Sequence, residues 1–600
     1  MGNGRNMNQQ DQKPVNFVKS IKRLFAYNKP FMILIIVALV LSMASSILTI
    51  IGPDQLKEIT NVIGEGIFTS IDLDKIKSIG MMLVTIYVLG FIFDYIQGLI
   101  MATVTNKFSR NLRTNISNKI SKLPLSYFDK TTIGDVLSRV TNDVDTIGQT
   151  MNQSISGLVS AITMFLGTLF MMYKTNWIMA STAIITTIIG FVIMMIILIR
   201  SQKYFMKVQN EMGALNGHIE EVYSGHNVVK IYNAKKEVHQ KFDEINDSLA
   251  DSARKSQFYS GLMMPLMSFM GNLGYVAVCI VGALLTMNNH ITFGVIVAFM
   301  IYIRLFTNPL AQIAQGLNQL QSTAAASERV FNFLDEEEMS SEDHLTKILD
   351  KSLVKGDIEF KNVKFGYNED KIVIKDFSAK IKSGEKIAIV GPTGAGKTTI
   401  VNLLMKFYEI NSGDILIDGV STKDLTRDNI HELFVMVLQD TWLFEGTIKD
   451  NVRYNQEHVS DEAIIDACKA AGLHHFIKTL PQGYDTVLND VDGLSAGQKQ
   501  LMTLARAMLE DGPFLILDEA TSSVDTRTEV LVQKAMDKLS KGKTSFIIAH
   551  RLSTIKNADM ILVMNEGNII EQGNHEKLLK KKGFYAELYN SQFQNANEEE

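Results

Sequence analysis

The chain has 600 residues, length for about four domains of ordinary size. Hydrophobic residues make up 46% and charged residues 20%, with 9 prolines and a mean hydropathy of +0.08, which excludes a disordered or collagen-like chain. A net charge of −5 supplies no global basic field, so no nucleic-acid partner is expected. The two cysteines, Cys279 and Cys468, are far apart, which argues against a disulfide framework or a cysteine metal site.

Those averages conceal two unlike halves. Residues 1–16 read as disordered. Between Phe17 and Tyr27, the apolar Phe17, Ile21, Leu24 and Phe25 alternate with Lys19, Lys22 and Arg23, the pattern of a helix lying on an inner membrane face. Six apolar stretches follow, at about 31–52, 79–105, 155–173, 177–199, 261–288 and 292–313. Each is near or above the ~20 residues that cross hydrocarbon as a helix. Lys and Arg cluster before the first, after the second and after the fourth, while 53–78, 174–176 and 289–291 form shorter loops on the other side. The positive-inside rule then puts both termini in the cytoplasm of a multi-pass plasma-membrane protein. The first apolar run is too long for a cleavable signal peptide and lacks a cleavage site. The inner connections, 106–154 and 200–260, read as helical stalks reaching tens of Å from the membrane. Short turn-like caps are expected at 124–134 and 224–230, suited to contact with a soluble domain.

Charge inside the spans is confined to Asp94 and Arg304. On insertion scales an unpaired charge there costs at least ~2.5 kcal/mol. Counted from the outer ends of their spans, both lie ~20 Å deep. Two expectations follow: they pair, or Asp94 meets a cationic substrate in a cavity. Met263, Met264, Met267 and Met270 cluster in the fifth span, where flexible thioethers suit a promiscuous apolar cavity and equally suit plain packing.

The second half reads as a soluble α/β domain. An alternating strand pattern at 357–366 is followed by the buried strand 386–390 and then Gly391-Pro-Thr-Gly-Ala-Gly-Lys-Thr-Thr399. This is a P-loop. The glycines of Gly391, Pro392, Thr393, Gly394, Ala395 and Gly396 let backbone N–H groups close on phosphate oxygens. Lys397 adds charge at the β/γ-phosphates, Thr398 offers a hydroxyl to Mg²⁺, and Thr399 completes the motif. A second buried strand, 514–518, ends in Asp518 and Glu519. Asp518 suits the Mg²⁺ shell, and Glu519 suits acceptance of a proton from attacking water. Between them Leu494-Ser-Ala-Gly-Gln498 opens a helix, with Ser495 as a good N-cap at an anion-attracting terminus.

These motifs in this order resemble those of an ATP-binding cassette exporter half-transporter, of the type IV, multidrug-resistance-like kind. The resemblance covers about 17–588. It implies an all-α six-helix transmembrane domain with long helical extensions (17–325), a linker (326–355), an α/β P-loop nucleotide-binding domain (356–590) and a tail (591–600). It further implies that Tyr367 stacks on adenine, that Gln439 touches Mg²⁺ and couples to the membrane domain, that Asp525 in Ser522-Ser-Val-Asp525 crosses a dimer interface, and that His550 senses the γ-phosphate. Ser495, Gly497 and Gln498 would contact ATP held on a partner chain. One P-loop per chain implies a dimer. Two departures favour a heterodimer, with a homodimer that tolerates them as the alternative. Ala496 stands where the family's signature carries glycine, and 483–493 is about one residue short and lacks a Gly-Glu pair. Lys397, Gln439, Asp518, Glu519 and His550 are intact, as in the better-equipped subunit of such pairs. The expected activity is ATP-driven export of amphipathic small molecules, multidrug type, with membrane lipids as surroundings; a lipid or glycolipid flippase and a peptide exporter are the alternatives on this scaffold.

Overall fold

The computed structural model describes residues 16–67, 70–368, 371–438, 441–456, 458–488, 493–518, 526–548 and 555–593. The chain divides into two compact units: residues up to Ser121 with Ile133–Glu336, and Lys122–Thr132 with the rest from Glu337.

The first unit is helical. Six helices are long and apolar enough to cross a bilayer: Met32–Gly66, Leu73–Lys122, Ile133–Thr175, Trp177–Ser224, Lys235–Met287 and Phe293–Asp335. In hydrocarbon every backbone polar group must be satisfied within the segment, and a helix does this. The helices run well past the apolar stretches, so the stalks continue the spans without a break. The third contains two π-helical turns, Arg139–Asp143 and Thr150–Ser154. At the tight turn between the third and fourth, Asn176 caps the fourth by accepting from the N–H groups of Ile178 and Met179 at 3.1 and 3.0 Å. Half of the sixth helix's apolar stretch is buried within the chain against 6% of the fourth's. The sixth is therefore the centre of this bundle, and the fourth turns its apolar surface outward.

Polar contacts pin the ends of the helices remote from the apolar stretches in this unit. The amphipathic segment forms the helix Phe17–Tyr27. There Arg23 bonds both oxygens of Asp335 and lies over the Phe331 ring at 4.7 Å. Asp143, which is buried, receives Arg329 Nε at 3.0 Å and Nη2 at 2.5 Å. The sixth helix extends through Asp335, into the stretch the sequence suggests as linker.

The second unit is built on a ten-stranded sheet in the order β5-β4-β1-β2-β12-β11-β3-β10-β9-β6. Its strands are β1 (Ile358–Phe365), β2 (Ile374–Ile381), β3 (Lys386–Val390), β4 (Ser412–Ile417), β5 (Val420–Ser421), β6 (Phe434–Val437), β9 (Phe514–Asp518), β10 (Thr544–Ile548), β11 (Met560–Asn565) and β12 (Asn568–Gly573). A small hairpin, β7 (Gly446–Thr447) with β8 (Val487–Leu488), lies apart. Strands β11, β3, β10, β9 and β6 are parallel neighbours, whereas β4, β1 and β2 are antiparallel. Both faces of β9 are buried: Phe514 and Ile516 join one core, Leu515 and Leu517 the other. Such two-sided burial explains the uninterrupted apolar run of its sequence.

The stretch from Glu337 to Lys355 is fastened to this unit. Glu342 bonds Lys406 and Arg427 at 2.9 and 2.7 Å. Asp418, in the β4–β5 turn, accepts from the N–H groups of Lys355, Gly356 and Asp357 at 2.5, 3.1 and 2.8 Å. One carboxylate thus satisfies three consecutive donors. Asp418→Ala is expected to destabilise the nucleotide unit by about 2 kcal/mol, seen as a lower unfolding temperature with faster proteolysis near 355.

Candidate nucleotide-binding site

The P-loop follows from β3. Strands β11 and β10 flank β3 in parallel register, so its carboxyl end is fixed and delivers Gly391 to the sheet edge where ligands bind in such folds. A Cβ at Gly391 would lie 2.2 Å from the backbone oxygen of Met564, an approach only glycine permits. Gly396 holds φ +97° and caps the helix Lys397–Leu404. Thr393 and Gly394 at the tip are exposed, as is Thr398, while Ala395 and Thr399 are buried.

Lys397 is 8% exposed. Its Nζ donates to the carbonyls of Gly391 and Pro392 at 2.9 and 3.1 Å, which folds the ammonium over the loop. Burial pushes its pKa below the ordinary lysine value, and the Asp518 carboxylate offsets part of that shift. Asp518 ends β9, one strand removed from β3 across β10, and is itself buried. The Asp518 carboxylate, distant in sequence, thus acts electrostatically on the Lys397 ammonium. The exposed Thr398 hydroxyl and the Asp518 carboxylate are hard oxygen donors of the type Mg²⁺ takes, and too few to cage it without phosphate and water. Among the described residues there is no cluster of three or more His, Cys, Asp or Glu able to hold a metal. The donor set fits a metal brought in with a nucleotide.

Tyr367 is 39% exposed. Its phenol oxygen lies 3.1 Å from Thr399 Oγ1, tying the aromatic to the P-loop. Its ring stands edge-on to Phe365 at 5.0 Å and to Tyr408 at 5.1 Å. Tyr408, which the sequence did not single out, donates its hydroxyl to Asp129 at 2.6 Å. Asp129 belongs to Lys122–Thr132, the segment bearing the short cap helix Leu125–Phe128 between two spanning helices. Burial and the Asp129 carboxylate raise the Tyr408 pKa above its ordinary range. No local motif marks this contact, since its partners are 279 residues apart.

The signature helix is Ala496–Leu509. Ser495 and Gln498 form a reciprocal capping box, Ser495 Oγ accepting from Gln498 N at 3.2 Å and Gln498 Oε1 from Ser495 N at 2.9 Å. Ala496 is exposed at the first helical position, and Gly497 is buried. Alanine favours a helix more than glycine does, so nothing within this chain opposes it there. The helix packs into a different core from the P-loop helix, through Leu501 and Leu504 rather than Ile400 and Leu404. Gln439, Glu519, Asp525 and His550 lie outside the described residues. Cys468 is buried, with its thiol pKa pushed up to about 11, and takes no part in the site.

The two charges of the spans do not meet. Asp94 accepts from Ser45 Oγ of the first spanning helix at 2.9 Å, and among the described residues no ion pair joins it to Arg304. Ser45 also donates to Gly90 O at 3.2 Å, so Asp94 is turned toward that helix. Of the two sequence expectations, pairing of Asp94 with Arg304 is not seen within the described residues.

Comparison with known proteins agrees with this architecture. Residues 35–310 match the family described as ABC transporter transmembrane region, and residues 374–522 match the family described as ABC transporter. A fatty acid ABC transporter ATP-binding/permease protein of Mycobacterium bovis is 43% identical over 536 residues, 89% of this chain and 84% of that protein. An uncharacterized ABC transporter ATP-binding protein of Bacillus subtilis is 39% identical over 96% of this chain and 94% of its own length. An ATP-dependent lipid A-core flippase of Syntrophus aciditrophicus is 33% identical over 88% of each. The chain belongs to the ABC transporter family, as a half-transporter of the exporter type that couples ATP hydrolysis to transport.

Tyr408→Phe removes the hydroxyl that holds Asp129 while keeping the ring. Amide hydrogen exchange across 125–131 is expected to quicken several-fold, with exchange in β3 and the P-loop helix unchanged.

Proposed function

We propose that this protein exports amphipathic small molecules across a bacterial plasma membrane as one half of a dimer, its nucleotide unit in the cytoplasm. The observation that carries the reading is the buried P-loop lysine, whose Nζ is folded over the carbonyls of Gly391 and Pro392, in a chain that also bears six apolar helices among its described residues. The P-loop, from Gly391 to Thr399, holds the phosphates. Tyr367 takes the adenine on its exposed side. Thr398, Asp518 and Gln439 hold Mg²⁺, which when bound neutralises phosphate charge and orients the γ-phosphoryl group. Glu519 accepts the proton of the attacking water, and His550 and Asp525 report the γ-phosphate across the interface.

The separate cores of the P-loop and signature helices support ATP shared between two chains, each supplying one side. Binding then closes the dimer and hydrolysis releases it. A partner of different sequence fits the Ala496 signature. The partner's signature would complete this chain's intact hydrolysis site, and Ser495, Gly497 and Gln498 would face the partner's weaker one. The lysines and arginines at the stalk ends support the cytoplasmic placement. A lipid as the exported amphiphile is the second reading, favoured by relatives named for fatty acid and lipid A-core.

Glu519→Gln is expected to lower ATP turnover at least about 100-fold while nucleotide still binds; turnover equal to the parent's removes the assigned role. Expressed alone in lipid, this chain is expected to hydrolyse ATP at a small fraction of the rate restored by a sibling half-transporter. Full turnover from the lone chain makes the transporter a homodimer.

A further inference from the structure

We propose that the cavity among the fourth, fifth and sixth spanning helices binds the head of an amphipathic anion, with Arg304 as its counter-charge. The assignment rests on the exporter reading above and specifies its substrate class. The cavity encloses about 460 Å³, within the ~300–1,000 Å³ of small-molecule sites. Its wall mixes apolar side chains, among them Phe191, Met194 and Met300, with neutral polar ones such as Asn272, Tyr275 and Asn308. Arg304 is the one charged residue in that lining.

Three observations converge on an anion. Arg304 lies roughly 16 Å along the sixth helix from Phe293, near the middle of a ~30 Å hydrocarbon layer. Its side chain is exposed, and among the described residues it forms no salt bridge. A charge at that depth in a transporter marks a substrate path by default, and a guanidinium matches carboxylate or phosphate with two parallel hydrogen bonds. The lining offers no carboxylate to a cation, because Asp94 is not part of it and is bonded to Ser45. This reverses the cationic preference expected from Asp94.

The cavity owes its space to glycines. A Cβ at Gly190 would meet Met270 at 3.1 Å and one at Gly274 would meet Thr186 Oγ1 at 3.2 Å, whereas one at Gly271 finds nothing within 4 Å. The fourth and fifth helices therefore approach closely on either side of an opening at Gly271. An apolar tail lies against the methionines and Phe191, and the anionic head reaches Arg304.

The test uses the assembled transporter in nanodiscs of phosphatidylcholine. The reading is the concentration giving half-maximal change in ATP turnover for oleate, lysophosphatidic acid, oleyl alcohol and oleylamine. The two anions separate a fatty carboxylate from a phosphate headgroup. At least one anion is expected to act at a concentration about tenfold below the alcohol and the amine. Arg304→Gln is expected to abolish that difference and Arg304→Lys to keep most of it. Gly271→Leu, which fills the opening without altering charge, should weaken all four ligands together. Retention of the anion preference in Arg304→Gln, a preference for the amine, or indifference to Gly271→Leu overturns the assignment and leaves export of amphiphiles standing. A complex that hydrolyses ATP and responds to none of the four overturns both.

Discussion

A buried ammonium beside a phosphate-sized loop is the constraint on which the nucleotide unit depends. Lys397 is enclosed, held by two carbonyls of its own loop, and lowered in pKa by desolvation. A cation in that setting is worth its desolvation cost when an anion arrives. Everything around it serves rigidity: parallel neighbours on both sides of β3, a close approach allowed by Gly391, and a second strand that ends in Asp518. The chain supplies one wall of this site. The signature helix, capped by Ser495 and exposed at Ala496, belongs to the other core and offers its terminus outward.

The membrane unit obeys a different solvent. In the spans the free-energy cost falls on polar groups, so each is informative. Asp94 accepts a hydrogen bond from a serine hydroxyl, and Asp143 near the stalk end is neutralised by Arg329. Arg304 stands apart from both, on a cavity wall. Within the nucleotide unit, Asp129 of the cap segment Lys122–Thr132 reaches Tyr408, whose ring in turn abuts the Tyr367 ring. Two side chains, Tyr408 and Tyr367, thus lie between Asp129 of that segment and the P-loop threonine Thr399.

Much of this was legible in sequence because the signals are local. The amphipathic helix at Phe17–Tyr27 appears where its charge pattern places it. The six spans follow from apolar length alone, and the P-loop from glycine spacing after a buried strand. What was not legible depends on pairings across long separations. Tyr408 carries no motif, and its role in the packing comes from a carboxylate 279 residues away. Asp94 and Arg304 share a depth by counting residues, yet counting does not give helix rotation, and rotation sends one toward Ser45 and the other toward a cavity. The sixth helix runs on through Asp335, into the stretch read as linker, and nothing in the composition of Thr323–Asp335 interrupts a helix.

The amino-acid sequence by itself determined the membrane class, the phosphate-binding loop and the order of motifs that define an ABC half-transporter. Each single span or motif is written in periodicity or spacing over about 30 residues or fewer, and local physics suffices to read it. Tertiary structure alone decided which charges are neutralised and which are left facing a cavity, that Lys122–Thr132 belongs with the nucleotide unit, and that the P-loop and signature helices occupy different cores. Those outcomes turn on helix rotation and strand order, which set distances between residues hundreds of positions apart and leave no trace in a one-dimensional pattern.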